Sequence, residues 1–391
     1  MVSLAVDVQL TNTVNLPIYY QPLIDQQVVS NLSWGTPGGN PIPTVIDTGS
    51  YGFWLHGPNS TVNSGSPYLG VLGPCNQTAE PFFDWPASTS RDGPRAQGAA
   101  FAYGGGGKIV NCPSVINDTV TFDVEGFAAL PNTEVALCDF MLIKDRATTC
   151  AGAHYDKSIM GLARSEGSAG PHFRDGLEAN GLDNNDIYSL WFEKLPADIN
   201  DPQHGTLMFG GAPTDKHIGD IAKVKQTKPD DGGTPGLYYV SLPEVQVAPI
   251  DGSGCPQTIE AVEPFSGVMP VCLVDTGTWG LTLPTNQTAF LEASGLALDS
   301  PFITLAYPTE CKDIPADATI DLKFTGDDGK VATIKLPFRN LAQGPGQQPN
   351  TCSLNLQLED PGCTFGGSFF SAALSIFNDA DDTVSFAQIP L

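Results

Sequence analysis

The stretches Val45-Ile46-Asp47-Thr48-Gly49-Ser50 and Leu273-Val274-Asp275-Thr276-Gly277-Thr278 decide the fold of this chain. Each consists of two apolar residues followed by Asp-Thr-Gly and a residue with a hydroxyl group. A lone Asp-Thr-Gly is ordinarily just a turn after a strand. Because this one recurs in matching context, the sequence predicts two related loops that each carry one carboxylate into a shared site.

Paired carboxylates have a chemistry that single ones lack. Two such groups within a few ångströms of each other cannot both ionise, so one keeps its proton while the other keeps its charge. The pair therefore supplies an acid and a base at one place, and we identify Asp47 and Asp275 as the candidate catalytic residues. The glycines allow close approach of the partner loop, and the threonine hydroxyls can lock the loops together by hydrogen bonds.

The bulk composition limits the function classes. At 391 residues the chain has room for two or three domains. Acidic residues outnumber Lys plus Arg by 43 to 18, which argues against nucleic acid or an anionic membrane as a partner. The acidic surplus fits work at low pH, and it fits simple solubility at neutral pH equally well. We expect a mature, soluble form, since no signal peptide opens the chain and no run of 18 apolar residues occurs.

Cysteines and glycosylation motifs indicate an oxidising compartment. The nine cysteines include no Cys-x-x-Cys pair, so disulfides are favoured over zinc or a redox dithiol, and one thiol is left over, for which we select Cys363. Five Asn-x-Ser/Thr motifs are candidate glycosylation sites. They are Asn31, Asn59, Asn76, Asn117 and Asn286. The sequence therefore predicts a glycoprotein that is secreted or resides in an acidic lumenal compartment.

Strand-like runs separated by Gly, Pro, Asn and Asp predict an all-β protein. Helical patterns are few, and the clearest cover residues 187–194 and 288–294. Each Asp-Thr-Gly is followed much later by an apolar-apolar-Gly or similar element, Ile159-Met160-Gly161 and Thr364-Phe365-Gly366. This weak repeat predicts two lobes, residues 1–198 and residues 199–391, each with one carboxylate loop.

The ordered set of motifs resembles the pepsin-like aspartic proteases, and the resemblance covers nearly the whole chain. Beyond the two Asp-Thr-Gly loops it includes Trp54, the run Tyr103-Gly104-Gly105-Gly106, and the closing segment Phe365-Gly366-Gly367-Ser368-Phe369-Phe370. The resemblance implies a bilobal fold of two β-barrel-like lobes with a cleft between them. It also implies hydrolysis of peptide bonds by a water that the two aspartates activate, without a covalent intermediate.

The same resemblance assigns roles to further residues. Thr48 and Thr276 would form the lock between the lobes, Gly49 and Gly277 would complete the loops, and Ser50 and Thr278 would hold the outer carboxylate oxygens. Other residues would form the flap or contact substrate. They are Tyr103, Gly104, Gly105, Trp54, Phe140, Leu142 and Trp191. For the last three, packing in the core is an equally good interpretation.

The disulfide predictions differ in their basis. The pair Cys311 and Cys352 matches the bridge that the resemblance implies for the C-terminal lobe. Three further pairs are guesses from proximity along the chain, because several pairings are open. They are Cys138 with Cys150, Cys255 with Cys272, and Cys75 with Cys112.

The leading hypothesis is a secreted acid endopeptidase that is monomeric, acts on peptides or proteins, and needs no metal or other cofactor. The five histidines show no metal-ligand spacing. The chain departs from the family pattern at Tyr51, Trp279 and Gly367, where bulk or a missing carboxylate alters the surroundings of the dyad. Two alternatives therefore stay open: a non-catalytic peptide-binding or inhibitor-like protein on this scaffold, and a non-proteolytic enzyme that has reused the dyad.

Overall fold

The computed structural model describes residues 13–66, 71–104, 107–122, 129–143, 157–164, 170–182, 186–229, 233–262, 271–299, 304–358 and 362–391, with the backbone alone for 64–66, 71–77 and 143. Most of this part of the chain is β-structure, which confirms the predicted all-β class. The three α-helices are α1 (Phe173–Ala179), α2 (Gln287–Ser294) and α3 (Gly367–Phe370).

The strands are β1 (Val14–Gln21), β2 (Asp25–Trp34), β3 (Ile42–Asp47), β4 (Phe53–Ser66), β5 (Val71–Thr78), β6 (Asp92–Tyr103), β7 (Lys108–Phe122), β8 (Leu130–Ile143), β9 (Ser158–Gly161), β10 (Ile187–Phe192), β11 (Gln203–Phe209), β12 (Ile218–Lys225), β13 (Tyr239–Ser241), β14 (Glu244–Val247), β15 (Gln257–Ile259), β16 (Val271–Val274), β17 (Leu281–Leu283), β18 (Ala297–Leu298), β19 (Leu305–Tyr307), β20 (Thr319–Thr325), β21 (Val331–Pro337), β22 (Ala342–Pro345), β23 (Cys352–Leu354), β24 (Leu356–Leu358), β25 (Cys363–Phe365), β26 (Ala373–Asn378) and β27 (Thr383–Gln388).

One large sheet of 14 strands joins the two halves of the chain. Its order is β12-β27-β26-β10-β11-β1-β2-β3-β9-β4-β8-β7-β6, and β5 pairs with β4. Strands from the C-terminal end of the chain, β26 and β27, therefore lie beside strands from its middle. A sheet of five strands, β13-β16-β25-β17-β24, and two sheets of four build the rest of the C-terminal half. The lobe boundary at residue 198 or 199 stays a prediction.

The weak repeat in the sequence corresponds to two equivalent strand pairs. β3 runs parallel to β9 with Asp47 opposite Gly161, and β16 runs parallel to β25 with Val274 opposite Phe365. The glycine after each apolar pair lies directly under a carboxylate loop. A Cβ atom on Gly161 would lie 2.4 Å from the carbonyl carbon of Tyr51, and one on Gly366 would lie 2.4 Å from the Gly280 oxygen. Only glycine fits at these crossings.

A largely buried ion network also joins the halves close to this region. The Arg174 guanidinium lies 2.7 Å from a carboxylate oxygen of Asp379, and Arg164 contacts Asp379 and Asp382 at 3.2 and 2.9 Å. The Tyr238 hydroxyl donates to Asp379 over 3.0 Å. Because Arg164 follows the strand that supports Asp47, this network fixes the first carboxylate loop against the C-terminal end of the chain.

One of the two predicted helices is wrong. Residues 187–192 form strand β10, which pairs with β11 on one side and β26 on the other. This segment has three aromatic residues among six and is nearly all buried, so two strand neighbours override its helical spacing. The second helix is confirmed as α2. The Asn286 side chain caps it by accepting a hydrogen bond of 2.8 Å from the Ala289 amide.

The described cysteines form three disulfides, which correct most of the predicted pairing. Cys311 bonds to Cys352 as predicted. The other two, Cys112–Cys138 and Cys272–Cys363, contradict all three proximity guesses and the selection of Cys363 as the lone thiol. Cys112–Cys138 joins the consecutive antiparallel strands β7 and β8 across 26 residues, whereas Cys272–Cys363 joins the parallel strands β16 and β25 across 91 residues, a distance that proximity along the chain cannot reveal. Cys255 is free and exposed, while the side chains of Cys75 and Cys150 lie outside the described residues.

Candidate active site

Asp47 is held in a fixed orientation at the end of β3. The Gly49 amide donates to its Oδ1 over 2.9 Å, and the Ser50 hydroxyl donates to its Oδ2 over 2.5 Å. The residue is only 6% exposed. Its backbone carbonyl accepts from the Leu162 amide over 2.8 Å, so the residue that follows β9 also supports the loop.

Asp275 has the same environment at the end of β16. The Gly277 amide donates to its Oδ1 over 2.8 Å, and the Thr278 hydroxyl donates to its Oδ2 over 2.5 Å. It is 9% exposed. The two loops are thus related by approximate two-fold symmetry, down to the hydrogen bond on each carboxylate oxygen.

The two carboxyl groups lie against each other's loops. A Cβ atom added to Gly49 would lie 2.3 Å from Cγ of Asp275, and one added to Gly277 would lie 2.5 Å from Oδ1 of Asp47. Each carboxyl therefore occupies the space that the missing side chain of the opposite glycine leaves open. The structure brings together Asp47 and Asp275, as the repeated motif predicts.

The threonines between each Asp and Gly link the loops to each other. The Thr48 amide donates to Oγ1 of Thr276, and the Thr276 amide donates to Oγ1 of Thr48, each over 3.0 Å. Each hydroxyl then donates to a carbonyl across the interface, Thr48 to Val274 over 2.8 Å and Thr276 to Ile46 over 2.5 Å. Both threonines are fully buried, so these bonds hold the carboxyls in place without competition from water.

The electrostatics of the pair favour one shared proton. Burial raises the pKa of Asp47 well above its usual range, and the neighbouring Asp275 carboxyl raises it further. The hydrogen bond from Ser50 and the positive charge of Lys108 act in the opposite direction on the same pKa. A proton held by one carboxyl beside an ionised partner gives the acid and the base that hydrolysis by an activated water requires.

A β-hairpin covers this pair. Strands β6 and β7 place Tyr103 opposite Lys108, and the Gly107 amide donates to the Gly104 carbonyl over 3.1 Å at the turn. The Trp54 indole N–H donates to the Tyr103 hydroxyl over 2.6 Å, and Lys108 Nζ lies 4.8 Å from the centre of the Tyr103 ring. The structure therefore shows a hairpin at the predicted position of the flap and joins Tyr103 to Trp54, while Gly105 lies outside the described residues.

The carboxyls open into a cavity of about 810 Å³ that reaches from the flap to the opposite loop. Tyr51 and Trp279, the bulky residues after each loop, both line it. The Tyr51 ring stacks on His172 at 5.6 Å between ring centres, and Trp279 is 49% exposed. Other cavities of about 850 and 810 Å³ exist, but their acidic side chains, such as Asp84 and Glu310, are exposed.

Three predicted substrate contacts are not in this cavity. Phe140 and Leu142 are half-buried on β8 and do not line it. Trp191 is 4% exposed and packs in the main apolar core on β10, so it does not face the cleft. The core interpretation holds for Trp191, because its strand lies inside the large sheet rather than at the cavity.

The structure adds cleft residues that sequence reasoning missed. Asp25 and Lys157 form an ion pair that lines the cavity, and the Gln27 amide group donates to the Gly277 carbonyl. Lys108 lines the cavity from the flap. The run of glycines before Lys108 was a sequence signal that could have identified this residue. Strand β2, in contrast, has no motif that marks Asp25 or Gln27.

Two further features were sought among the described residues: clusters of metal-ligating side chains and membrane-spanning helices. Within them, no group of three or more His, Cys, Asp or Glu side chains has the arrangement of a metal site. No helix among the same residues has the length and apolar character to cross a membrane. Of the candidate glycosylation sites, Asn31, Asn59 and Asn286 are exposed and Asn117 is half-buried, while the Asn76 side chain is not described.

Comparisons with known proteins agree with this geometry. The chain is similar to a probable aspartic-type endopeptidase, opsB, of Aspergillus oryzae, with 26% identity over 191 residues. That alignment covers 49% of this chain and 35% of the relative, so the chain spans about a third of the length of the curated relative it matches. Residues 27–389 match the family described as eukaryotic aspartyl protease. The match covers both carboxylate loops and most of the chain, and the chain therefore belongs to the eukaryotic, pepsin-like aspartyl protease family.

Proposed function

We propose that this protein is an acid endopeptidase in which Asp47 and Asp275 activate a water to hydrolyse peptide bonds. The observation that carries the proposal is the symmetric pair of loops, in which each buried carboxyl accepts a backbone N–H and a hydroxyl and lies against the opposite glycine. Membership of a protease family supports the same reaction class.

The chemistry follows from the shared proton. The ionised carboxyl takes a proton from a water that lies between the two groups as the water oxygen attacks the substrate carbonyl. The protonated carboxyl donates a hydrogen bond to the carbonyl oxygen as negative charge develops there. The carboxyl that took the water proton then gives it to the leaving amine as the tetrahedral intermediate collapses and the C–N bond breaks, so both carboxyls return to their starting state and no bond forms between enzyme and substrate. Tyr103 and its hairpin would close over the peptide and reduce access of bulk water.

The expected substrate is an extended peptide, because the family is one of proteases and the cavity of about 810 Å³ lies between the β6–β7 hairpin and the carboxylate loops, where a peptide backbone can hydrogen-bond to strand edges. We propose a monomer that needs no metal or cofactor. Three disulfides and 43 acidic against 18 basic residues support a secreted or acidic lumenal location and glycosylation at exposed sequons such as Asn31 and Asn59. A mobility shift after enzymatic removal of N-glycans tests this part separately.

The decisive experiment measures cleavage of a denatured protein at about pH 3 to 5 by the wild type, Asp47→Asn and Asp275→Asn. We expect each variant to lose at least ~10³-fold in kcat/KM while circular dichroism shows an unchanged fold. Asp84→Asn, an exposed residue in another cavity, is the matched control and should retain full activity. A folded wild type that cleaves nothing across this range, or an Asn variant that stays active, contradicts the proposal.

A further inference from the structure

Asp379, in the turn between β26 and β27, connects through other residues to both carboxylate loops. Its side chain is only 10% exposed. One of its carboxylate oxygens lies 2.7 Å from the Arg174 guanidinium. The other lies 3.2 Å from Arg164 and accepts from the Tyr238 hydroxyl over 3.0 Å. A single buried carboxylate therefore holds two arginines and a tyrosine that come from three separate segments of the chain.

The two arginines lead to the loop of Asp47. Arg174 also donates to the Leu162 carbonyl over 3.3 Å, and the Leu162 amide donates to the backbone carbonyl of Asp47 over 2.8 Å. The residue directly before Arg164 donates its amide to the Ser50 carbonyl over 2.9 Å. The two ion pairs therefore hold the segment that supports the backbone of the first loop.

The tyrosine leads to the loop of Asp275. The backbone carbonyl of Tyr238 accepts from the Val274 amide over 2.9 Å, and Val274 directly precedes Asp275. The Tyr238 side chain is fully buried, and its ring packs edge-on against Phe377 at 4.7 Å between ring centres. A hydroxyl contact at one end of this residue and a backbone contact at the other thus connect Asp379 to the second loop.

This connection differs from the one that the threonines make. Thr48 and Thr276 link the two loops directly, whereas Asp379 links the segments that support them. Removal of a carboxylate from a buried ion pair leaves positive charge with less compensation. The arginine and tyrosine side chains would then have to move, and the supporting segments would lose their common attachment.

We propose that Asp379 is a positioning residue that sets the separation of the Asp47 and Asp275 carboxyl groups. The proposal rests on the proposed function, and it adds to the reaction a residue that lies outside both loops and does not line the catalytic cavity. The separation of the two carboxyls decides how strongly each one opposes ionisation of the other. A misplacement of about 1 Å that originates far from the reacting atoms can lower the rate by about 100-fold.

The kinetic test compares the wild type with Tyr238→Phe and Asp379→Asn. Tyr238→Phe breaks the connection to the second loop without changing a charge, and it decides the matter if Asp379→Asn does not fold. In protein that circular dichroism shows to be folded, we expect kcat to fall about 10- to 100-fold while KM stays within about twofold. Asp379→Glu keeps the carboxylate and should restore part of the loss.

Asp381→Asn is the matched control. Asp381 lies in the same turn as Asp379, but its partner Lys223 and its own side chain are about half exposed. This variant should keep the wild-type kcat. A loss of kcat in Asp381→Asn equal to that in Asp379→Asn would contradict a specific role of Asp379.

The pH profile of kcat/KM distinguishes positioning from a general loss of stability. If the carboxyls move apart, their coupling weakens and the two apparent pKa values of the pair approach each other. The acidic limb then moves to higher pH and the basic limb to lower pH. We expect this narrowing in folded Tyr238→Phe, where no charge has changed. Unchanged limbs, or limbs that both move in one direction, overturn the proposal.

A titration without substrate separates this proposal from the proposed function. Carbon-13 NMR of carboxyl-labelled aspartate can follow the pair, with the signals of Asp47 and Asp275 assigned by their loss in the two Asn variants. A smaller gap between the two apparent pKa values in Tyr238→Phe than in the wild type supports positioning, even if the wild type cleaves nothing. Equal gaps overturn it, even if the wild type is an active protease.

Discussion

Thr48 and Thr276 lie 228 positions apart in the chain, and the backbone amide of each donates to the side-chain oxygen of the other over 3.0 Å. This reciprocal pair is the physical link that turns two distant loops into one site. The hydroxyls also donate to carbonyls of the strands that deliver the opposite aspartate. The stability of the fold and the geometry of the carboxyls therefore depend on the same four hydrogen bonds.

Thr48→Val is expected to lower the free energy of unfolding by about 2–4 kcal/mol. Valine keeps the shape but leaves the buried Thr276 amide without its acceptor. We expect kcat to fall as well, because the carboxyls lose their fixed separation. Urea denaturation and kinetics check this, and Thr48→Ser, which keeps the hydroxyl, should restore most of both quantities. Equal effects of Val and Ser would show that the hydroxyl does not matter.

Gly277→Ala is expected to abolish activity. The added Cβ would lie 2.5 Å from Oδ1 of Asp47, closer than any non-bonded carbon and oxygen tolerate, so the carboxyls must separate. Gly98→Ala is the matched control, because a Cβ there meets nothing within 4 Å. Activity assays with both purified variants decide the matter, and an active Gly277→Ala would mean that the loops do not approach as closely as described.

Lys108→Gln is expected to move the acidic limb of the kcat/KM profile to higher pH. Burial and the Asp275 carboxyl raise the pKa of Asp47, and the Lys108 charge lowers it. Without that charge the pKa rises further, so the pair keeps its second proton to higher pH and the ionised base is lost sooner on acidification. Lys108→Arg retains the charge and should retain the profile. A shift of the acidic limb to lower pH in Lys108→Gln would contradict the expected effect of the Lys108 charge.

Tyr103→Phe is expected to reduce kcat/KM about tenfold while leaving the unfolding midpoint nearly unchanged. The substitution removes the hydroxyl that accepts a hydrogen bond from the Trp54 indole N–H over 2.6 Å. This bond fixes the position of the hairpin over the carboxyls. One hydrogen bond of about 1.4 kcal/mol corresponds to that factor. In a double-mutant cycle with Trp54→Phe the losses should not add, since either change breaks the same contact. Strictly additive losses in kcat/KM would show that Tyr103 and Trp54 act independently, which would contradict the role of their hydrogen bond.

The double variant Cys272→Ser/Cys363→Ser is expected to lose about 4–5 kcal/mol of stability from chain entropy alone, because the bridge closes a separation of 91 residues. The bridge joins the strand that delivers Asp275 to its parallel neighbour, so activity should become more sensitive to temperature as well. Cys255→Ser removes a free, exposed thiol and serves as the control. Urea midpoints that match in the two variants would contradict the expected role.

The sequence motifs predicted the proximity of the two carboxyls better than the pairing of the cysteines. Asp47, Thr48 and their counterparts lie in a local pattern that repeats, so their relation can be inferred without knowing the path of the chain. Cys272 and Cys363 carry no such pattern, and their proximity arises from a parallel strand pair. The helix predicted over residues 187–194 was wrong for a similar reason, since the strand at residues 187–192 depends on pairing with β11 and with β26, and β26 is remote in sequence.

The all-β class and the two equivalent carboxylate loops could be predicted from the sequence alone, because both follow from residue types at short spacing. The buried position of Trp191 in the core, and the positions of Lys108 and the Asp25–Lys157 pair along the cleft, could be read only from the tertiary structure. Burial, charge and contact at those residues depend on segments brought together over long distances by the sheets. The local sequence around each of these residues does not reveal which distant segments will pack against it.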